Sequence, residues 1–125
     1  MRKNVTTDKA PTPVGPYSQA ILEGDFIFVA GQGPLDPATR KYTPADIKTE
    51  TKRTFENLKA ILEAAGSSLD KVVKCNVYLR DINDFAAMNE VYATQFTAPF
   101  PARTTIQAGA LPGGIAVEIE CIARQ

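Results

Sequence analysis

Apolar positions recur along this chain with two periods, and the switches between them mark its elements. Ala20 Ile21 Leu22 and Phe26 Ile27 Phe28 Val29 Ala30 flank Glu23 Gly24 Asp25, which predicts two short strands joined by a tight turn. Gly31 Gln32 Gly33 Pro34 then ends the second strand as a loop with exposed backbone groups. The spacing next lengthens to that of a helix: Ile47, Thr51, Phe55, Leu58, Ile61, Leu62 and Ala65 share one face. Thr43 Pro44 Ala45 Asp46 reads as its start, with Thr43 as cap and proline at the first helical position, and Gly66 suits its end. Period two returns over Val72 to Leu79, placing Val73, Cys75, Val77 and Leu79 together. Asp81 or Asn83 caps a second helix with Phe85, Met88, Tyr92 and Phe96 as its apolar stripe. Arg103 to Ala108 and Ile115 to Ile122 alternate about Pro112 Gly113 Gly114, which predicts a closing hairpin. The first nineteen residues carry Pro11, Pro13 and Pro16 and are expected to run extended over the surface.

The order is therefore strand, strand, helix, strand, helix, strand, strand. Two helices cover only one face of such a sheet, so the expectation is an α+β fold in one domain spanning residues 1–125. The other sheet face is left for association. Asn76, Tyr78, Arg103, Thr105 and Glu118 are expected on or near that face, beside a subunit interface.

Composition narrows the chemistry. Lys plus Arg and Asp plus Glu are 14 each, so no global field attracts nucleic acid or acidic lipid. The charges interleaved from Lys48 to Glu63 read as a solvated helix face. The longest uncharged run, Thr104 to Val117, is broken by Pro and Gly, so no membrane span is expected. Basic residues near Met1 have no apolar stretch behind them, which leaves the cytoplasm as the expected location. Cys75 and Cys121 fall in strand patterns, where free thiols act as small hydrophobes. With no His in the chain, Ser/His/Asp and Cys/His nucleophiles and histidine metal sites are excluded, and no metal site is expected. Acid–base work falls to Glu, Asp, Tyr, Lys, Cys or water.

The closing segment carries the candidate chemistry. If its strands pair symmetrically about the turn, Thr105 lies opposite Glu118 and Arg103 opposite Glu120, with both carboxylates on the arginine's face. A cross-strand ion pair is the plainer reading. The alternative is an anion site, because a guanidinium fork holds a carboxylate by two parallel hydrogen bonds and a nearby Glu can hold a water.

A wider set of fragments appears in order: Pro11, Gly15 Pro16 Tyr17 Ser18 Gln19, Ala30 Gly31 Gln32, Glu63 Ala64 Ala65 Gly66, and Asp81 Ile82 Asn83 Asp84 Phe85. Met88 Asn89 Glu90 Val91 Tyr92, Phe100 Pro101 Ala102 Arg103, Leu111 Pro112 and Glu118 Ile119 Glu120 complete it. From about Ala10 to Arg124 the chain resembles the reactive intermediate deaminase family of the YjgF type. The resemblance implies a chorismate-mutase-like fold, a homotrimer whose sheets form a central barrel, active sites between subunits, and no metal or organic cofactor. It also implies hydrolysis of 2-enamine and 2-imine acids, such as 2-iminopropanoate and 2-iminobutanoate, to 2-oxo acids and ammonia. Carried over position by position, Arg103 would anchor the substrate carboxylate and Glu118 would orient water. Tyr17 would help to close the cleft, Gly31 would offer backbone groups, and Asn89 would stand beside the substrate. Thr105 takes a position where many members have cysteine, giving a backbone or hydroxyl contact, and Gly33 replaces a bulkier residue, implying a looser wall. Other readings are a trimeric carboxylate-binding regulator, an endoribonuclease or translation inhibitor of the kind reported for relatives, and a holdase-type chaperone.

Overall fold

The computed structural model describes residues 1–125. Lys3–Val5 and Ala20–Glu23 pair antiparallel as strands β1 and β2, so the N-terminal segment is partly tied to the sheet rather than simply laid over the surface. β3 (Phe26–Gln32) follows with Glu23 opposite Phe26, leaving Gly24 and Asp25 as the whole turn. Gly24 has φ +58°, which costs a residue without Cβ little. The strand does not stop at Ala30 as expected. It runs through Gly31 and Gln32 with a one-residue bulge, because Val29 pairs with Cys121 and Gln32 with Ile119.

Helix α1 (Ile47–Ala64) starts at Asp46, not Thr43. The Asp46 carboxylate accepts the Thr49 N–H at 2.8 Å, while the Ala45 N–H goes instead to Glu50. Gly66 ends it at φ +80°, with Gly66 N–H to Glu63 O and Ser67 N–H to Leu62 O closing the last turn. The expected stripe is buried from Thr51 to Leu62 and partly buried at Ile47 and Ala65, but the charged face is not wholly solvated. Glu50 is fully buried and accepts from Tyr42 Oη at 2.8 Å, Ala45 N at 3.1 Å and Ala116 N at 3.0 Å. A carboxylate with three donors can be enclosed without a cation, and it ties α1 to the chain just before the final strand.

Strand β4 (Val72–Leu79) leads through a single 3-10 turn capped by Asp81 to α2 (Phe85–Gln95), and then to β5 (Ala102–Gln107) and β6 (Val117–Arg124). An extra residue in β4 turns Val72 into the core and leaves Val73 38% exposed, contrary to the simple alternation. The six strands lie in the order β1-β2-β3-β6-β4-β5, with β4 and β5 parallel and the other pairs antiparallel. The closing hairpin is not formed. β4 lies between β5 and β6, and the connection crosses the end of β4 through Ala108 N–H to Leu79 O and Arg80 N–H to Ala116 O. Burial explains the choice: Val117, Ile119, Cys121 and Ala123 are almost fully buried, so β6 takes a central place, while threonine-rich β5 stays at the edge.

Both helices cover one face of this mixed sheet, as the element order requires. Phe55 of α1 meets Tyr92 and Phe96 edge-on at 5.7 and 5.6 Å, contacts worth about 0.5–1.5 kcal/mol each beyond their buried area. The opposite face is bare and carries Phe26, Phe28 and Ile106, each more than two-fifths exposed. No helix is long and apolar enough to cross a membrane.

Candidate functional site

The ladder decides which side chains can meet. Arg103 pairs with Cys75 and Cys75 with Cys121; Thr105 pairs with Val77 and Val77 with Ile119. These partners are buried under the helices, so Arg103 and Thr105 point to the covered face. Glu118 is opposite Tyr78, and Glu120 opposite Asn76, on the bare face. The expected cross-strand contact of Arg103 with Glu118 or Glu120 is therefore absent: a strand and the thickness of the sheet separate them. Of the residues expected together on the open face, Asn76, Tyr78 and Glu118 are there, whereas Arg103 and Thr105 are not.

On the covered side, Arg103 lines a groove of about 410 Å³ with Asn89, Tyr92, Ala93, Phe100 and Pro101. Its guanidinium carbon is 4.6 Å from the Tyr92 ring centroid and 5.5 Å from that of Phe85. Arg40, Arg53 and Arg80 each donate to a backbone carbonyl, but Arg103 makes neither a protein hydrogen bond nor an ion pair. Nearby, Asn89 Oδ1, Tyr92 Oη and Thr105 Oγ1 are buried without hydrogen-bond partners. Unpartnered buried polar atoms are costly, and several around a free guanidinium mark a place where a polar ligand supplies what the chain does not. Desolvation by burial raises the Tyr92 hydroxyl well above the ordinary tyrosine range, so it stays protonated.

On the bare side, the β3 bulge turns Gly31 toward Glu118. A Cβ at position 31 would lie 2.5 Å from Glu118 Oε2 and 2.9 Å from its carboxyl carbon, so only glycine allows this approach. Burial, and then the charge of Glu120, push the Glu118 carboxyl above its usual range. Glu120 is itself held by Tyr78 Oη at 2.7 Å. Tyr17 is half-exposed, with its hydroxyl 3.4 Å from the Val14 N–H, and lies two residues before Gln19, whose carbonyl accepts from Ala30 N–H. The looser wall expected at Gly33 is not found, because Ile115 Cδ1 fills the space that a side chain there would take.

The candidates thus separate: Arg103, Asn89 and Thr105 lie on the covered side and Gly31 and Glu118 on the other, while half-exposed Tyr17 stands in the segment before β2. Sequence reading assigned Phe85 and Tyr92 only to a core stripe. Their spacing about Asn89, at i, i+4 and i+7, is the signal that all three face one strand. No group of three or more His, Cys, Asp or Glu side chains is disposed to hold a metal ion.

A mixed sheet covered on one side by two helices, with an unpaired arginine in a small groove, defines an α+β fold with a free cationic site. The sequence model of the endoribonuclease L-PSP family matches residues 7–125, and the chain belongs to that family, also called YjgF/Rid. It is 56% identical over 119 residues to a RutC family protein of Pyrococcus abyssi, covering 95% of this chain and 94% of the relative. It is 46% identical over 125 residues to a Bos taurus protein named 2-iminobutanoate/2-iminopropanoate deaminase, covering 100% of this chain and 91% of the relative. The crystal structure of Escherichia coli TdcF with bound serine matches with a TM-score of 0.91 at 39% identity, covering 98% of each chain.

Proposed function

We propose that this protein hydrolyses 2-imino acids, formed from 2-enamine acids such as 2-aminoacrylate, to 2-oxo acids and ammonia. The observation that carries this is the unused Arg103 guanidinium among unpartnered polar atoms, in a groove of the right size for a small acid. The deaminase name of the bovine relative and the serine bound to TdcF support the same substrate class. Arg103 holds the carboxylate by its fork, Asn89 lines the same groove and can pair with a polar atom of the substrate, and Thr105 follows two positions later on the same face of β5. Water adds to the iminium carbon while Glu118 takes a proton, giving a carbinolamine. That proton returns to nitrogen, the C–N bond breaks with ammonia as the leaving group, and the hydroxyl proton passes to the ammonia, so that the 2-oxo acid and ammonium remain. Positioning supplies most of the acceleration, and general acid–base help contributes about 10²–10⁴-fold.

Because Glu118 and Arg103 occupy opposite faces, one chain cannot apply both to one substrate. The reading therefore includes a homotrimer in which the bare face of one copy, with Glu118, Gly31 and Tyr17, closes over the Arg103 groove of the next. Phe26, Phe28 and Ile106 supply apolar area for that contact. Ribonuclease activity, which the family name suggests, finds less support in a chain with equal numbers of acidic and basic residues.

The direct test couples the protein to a threonine dehydratase and follows 2-oxobutanoate. Release of the oxo acid should accelerate in proportion to added protein, and an unchanged rate would remove the proposal. A second expectation follows from the raised Glu118 carboxyl. Its base form is present above the raised pKa, so the catalysed rate falls as pH drops through that value. Glu120→Gln removes the neighbouring charge but not the burial, and should move this acidic limb to lower pH. A pH–rate profile, corrected for uncatalysed hydrolysis, checks it; an unmoved limb would refute the assignment of Glu118.

A further inference from the structure

Phe85, Asn89 and Tyr92 lie at i, i+4 and i+7 on α2, so the Cα atoms of Phe85 and Tyr92 are about 10 Å apart along the axis, with Asn89 between them on the same face. The Arg103 guanidinium is within 5.5 Å of both ring centroids, which places it in the gap between the rings. We infer that Phe85 and Tyr92 are positioning residues that hold Arg103 by their ring faces and leave its N–H edges free for a substrate carboxylate. This rests on the reading of Arg103 as the carboxylate anchor.

The physical reason lies in what each kind of restraint uses. An arginine fixed by a carboxylate or a carbonyl gives up donors to its holder, as Arg80 does to Gly114 O. Ring faces attract the cation through their quadrupoles and take no donor. The guanidinium is then immobilised before the ligand arrives, with its planar fork intact. The two rings differ in their other duties. Tyr92 is 5% exposed and also packs on Phe55 and Phe96, whereas Phe85 is 40% exposed and contributes little to the core. Phe85 is therefore the position at which the restraint can be removed without unfolding the chain.

The test measures calorimetric binding of 2-oxobutanoate, a product that does not turn over, together with kcat, for Phe85→Leu and Phe85→Tyr. Loss of one ring–cation contact should weaken binding in Phe85→Leu by about 2- to 30-fold. Phe85→Tyr keeps both rings and should bind like wild type. A purely structural role for Phe85 would be served by leucine, so recovery by tyrosine but not leucine marks the ring face as the cause. Wild-type binding by Phe85→Leu, or failure of Phe85→Tyr to bind, overturns the inference. Arg103→Ala separates it from the underlying reading. If that variant loses binding while Phe85→Leu keeps it, only the ring restraint fails; if Arg103→Ala also binds normally, the anchor itself is wrong.

Discussion

Arg103→Ala is expected to abolish measurable imine hydrolysis while leaving the protein folded. The guanidinium has no carboxylate partner and no hydrogen-bonded carbonyl in the chain, so its removal strands no protein acceptor. What the fold loses is contact with two rings, each worth about 0.5–2 kcal/mol. The substrate loses two charge-assisted hydrogen bonds, each worth about 1.5–3 kcal/mol, which together correspond to about 10²–10⁴-fold in kcat/KM. Misplacement of the iminium carbon relative to the attacking water adds to that loss. Arg103→Lys should remain badly impaired, because an ammonium supplies charge without the planar fork. The coupled assay and thermal unfolding on the same preparations separate the effects. A folded Arg103→Ala protein with wild-type turnover would end the anchoring assignment.

Much of the architecture was legible because local pattern and final burial agree. The Glu23–Asp25 turn, the α1 stripe from Thr51 to Leu62 and the Gly66 stop are short-range features, each set by residues within a few positions of one another. The two-helix, one-face layering followed from counting elements. What failed was long-range. Alternation on either side of a Pro-Gly-Gly turn suggests a hairpin, but it says nothing about a third strand inserted between the two. Here β4 enters because the fully apolar face of β6 is buried best with neighbours on both sides, and that competition is invisible within the segment. The consequence for the site is large: with the ladder known, Arg103 and Glu118 exchange a shared face for opposite ones. Glu50 was missed for a related reason. A glutamate in a charged helix reads as solvated until its three donors, two of them in distant or irregular backbone, are placed around it.

The opposite placement of Arg103 and Glu118 carries the second large expectation: two inactive variants should restore each other when mixed. Arg103→Ala retains the bare-face group of Glu118 and Gly31, and Glu118→Gln retains the complete Arg103 groove. If each active site takes its groove from one copy and its carboxylate from the next around a closed ring, a mixed assembly contains some sites built wholly from intact halves. Random exchange at equal concentrations makes about a quarter of all sites intact, so the mixture should regain about a quarter of wild-type activity. A site contained within one chain could never be repaired in this way, since every copy would carry a defect. The two proteins must first be dissociated in mild denaturant and reassembled together, with each variant treated alone as the control. Sedimentation of the reassembled material should give the trimer that the family resemblance implies, and a bare sheet face with Phe26, Phe28 and Ile106 exposed favours such association. A trimer without recovered activity would place both groups' functions within single chains or deny a role to one of them. A stable monomer at micromolar concentration would remove the shared site altogether, since the sheet then keeps Glu118 permanently away from anything Arg103 holds.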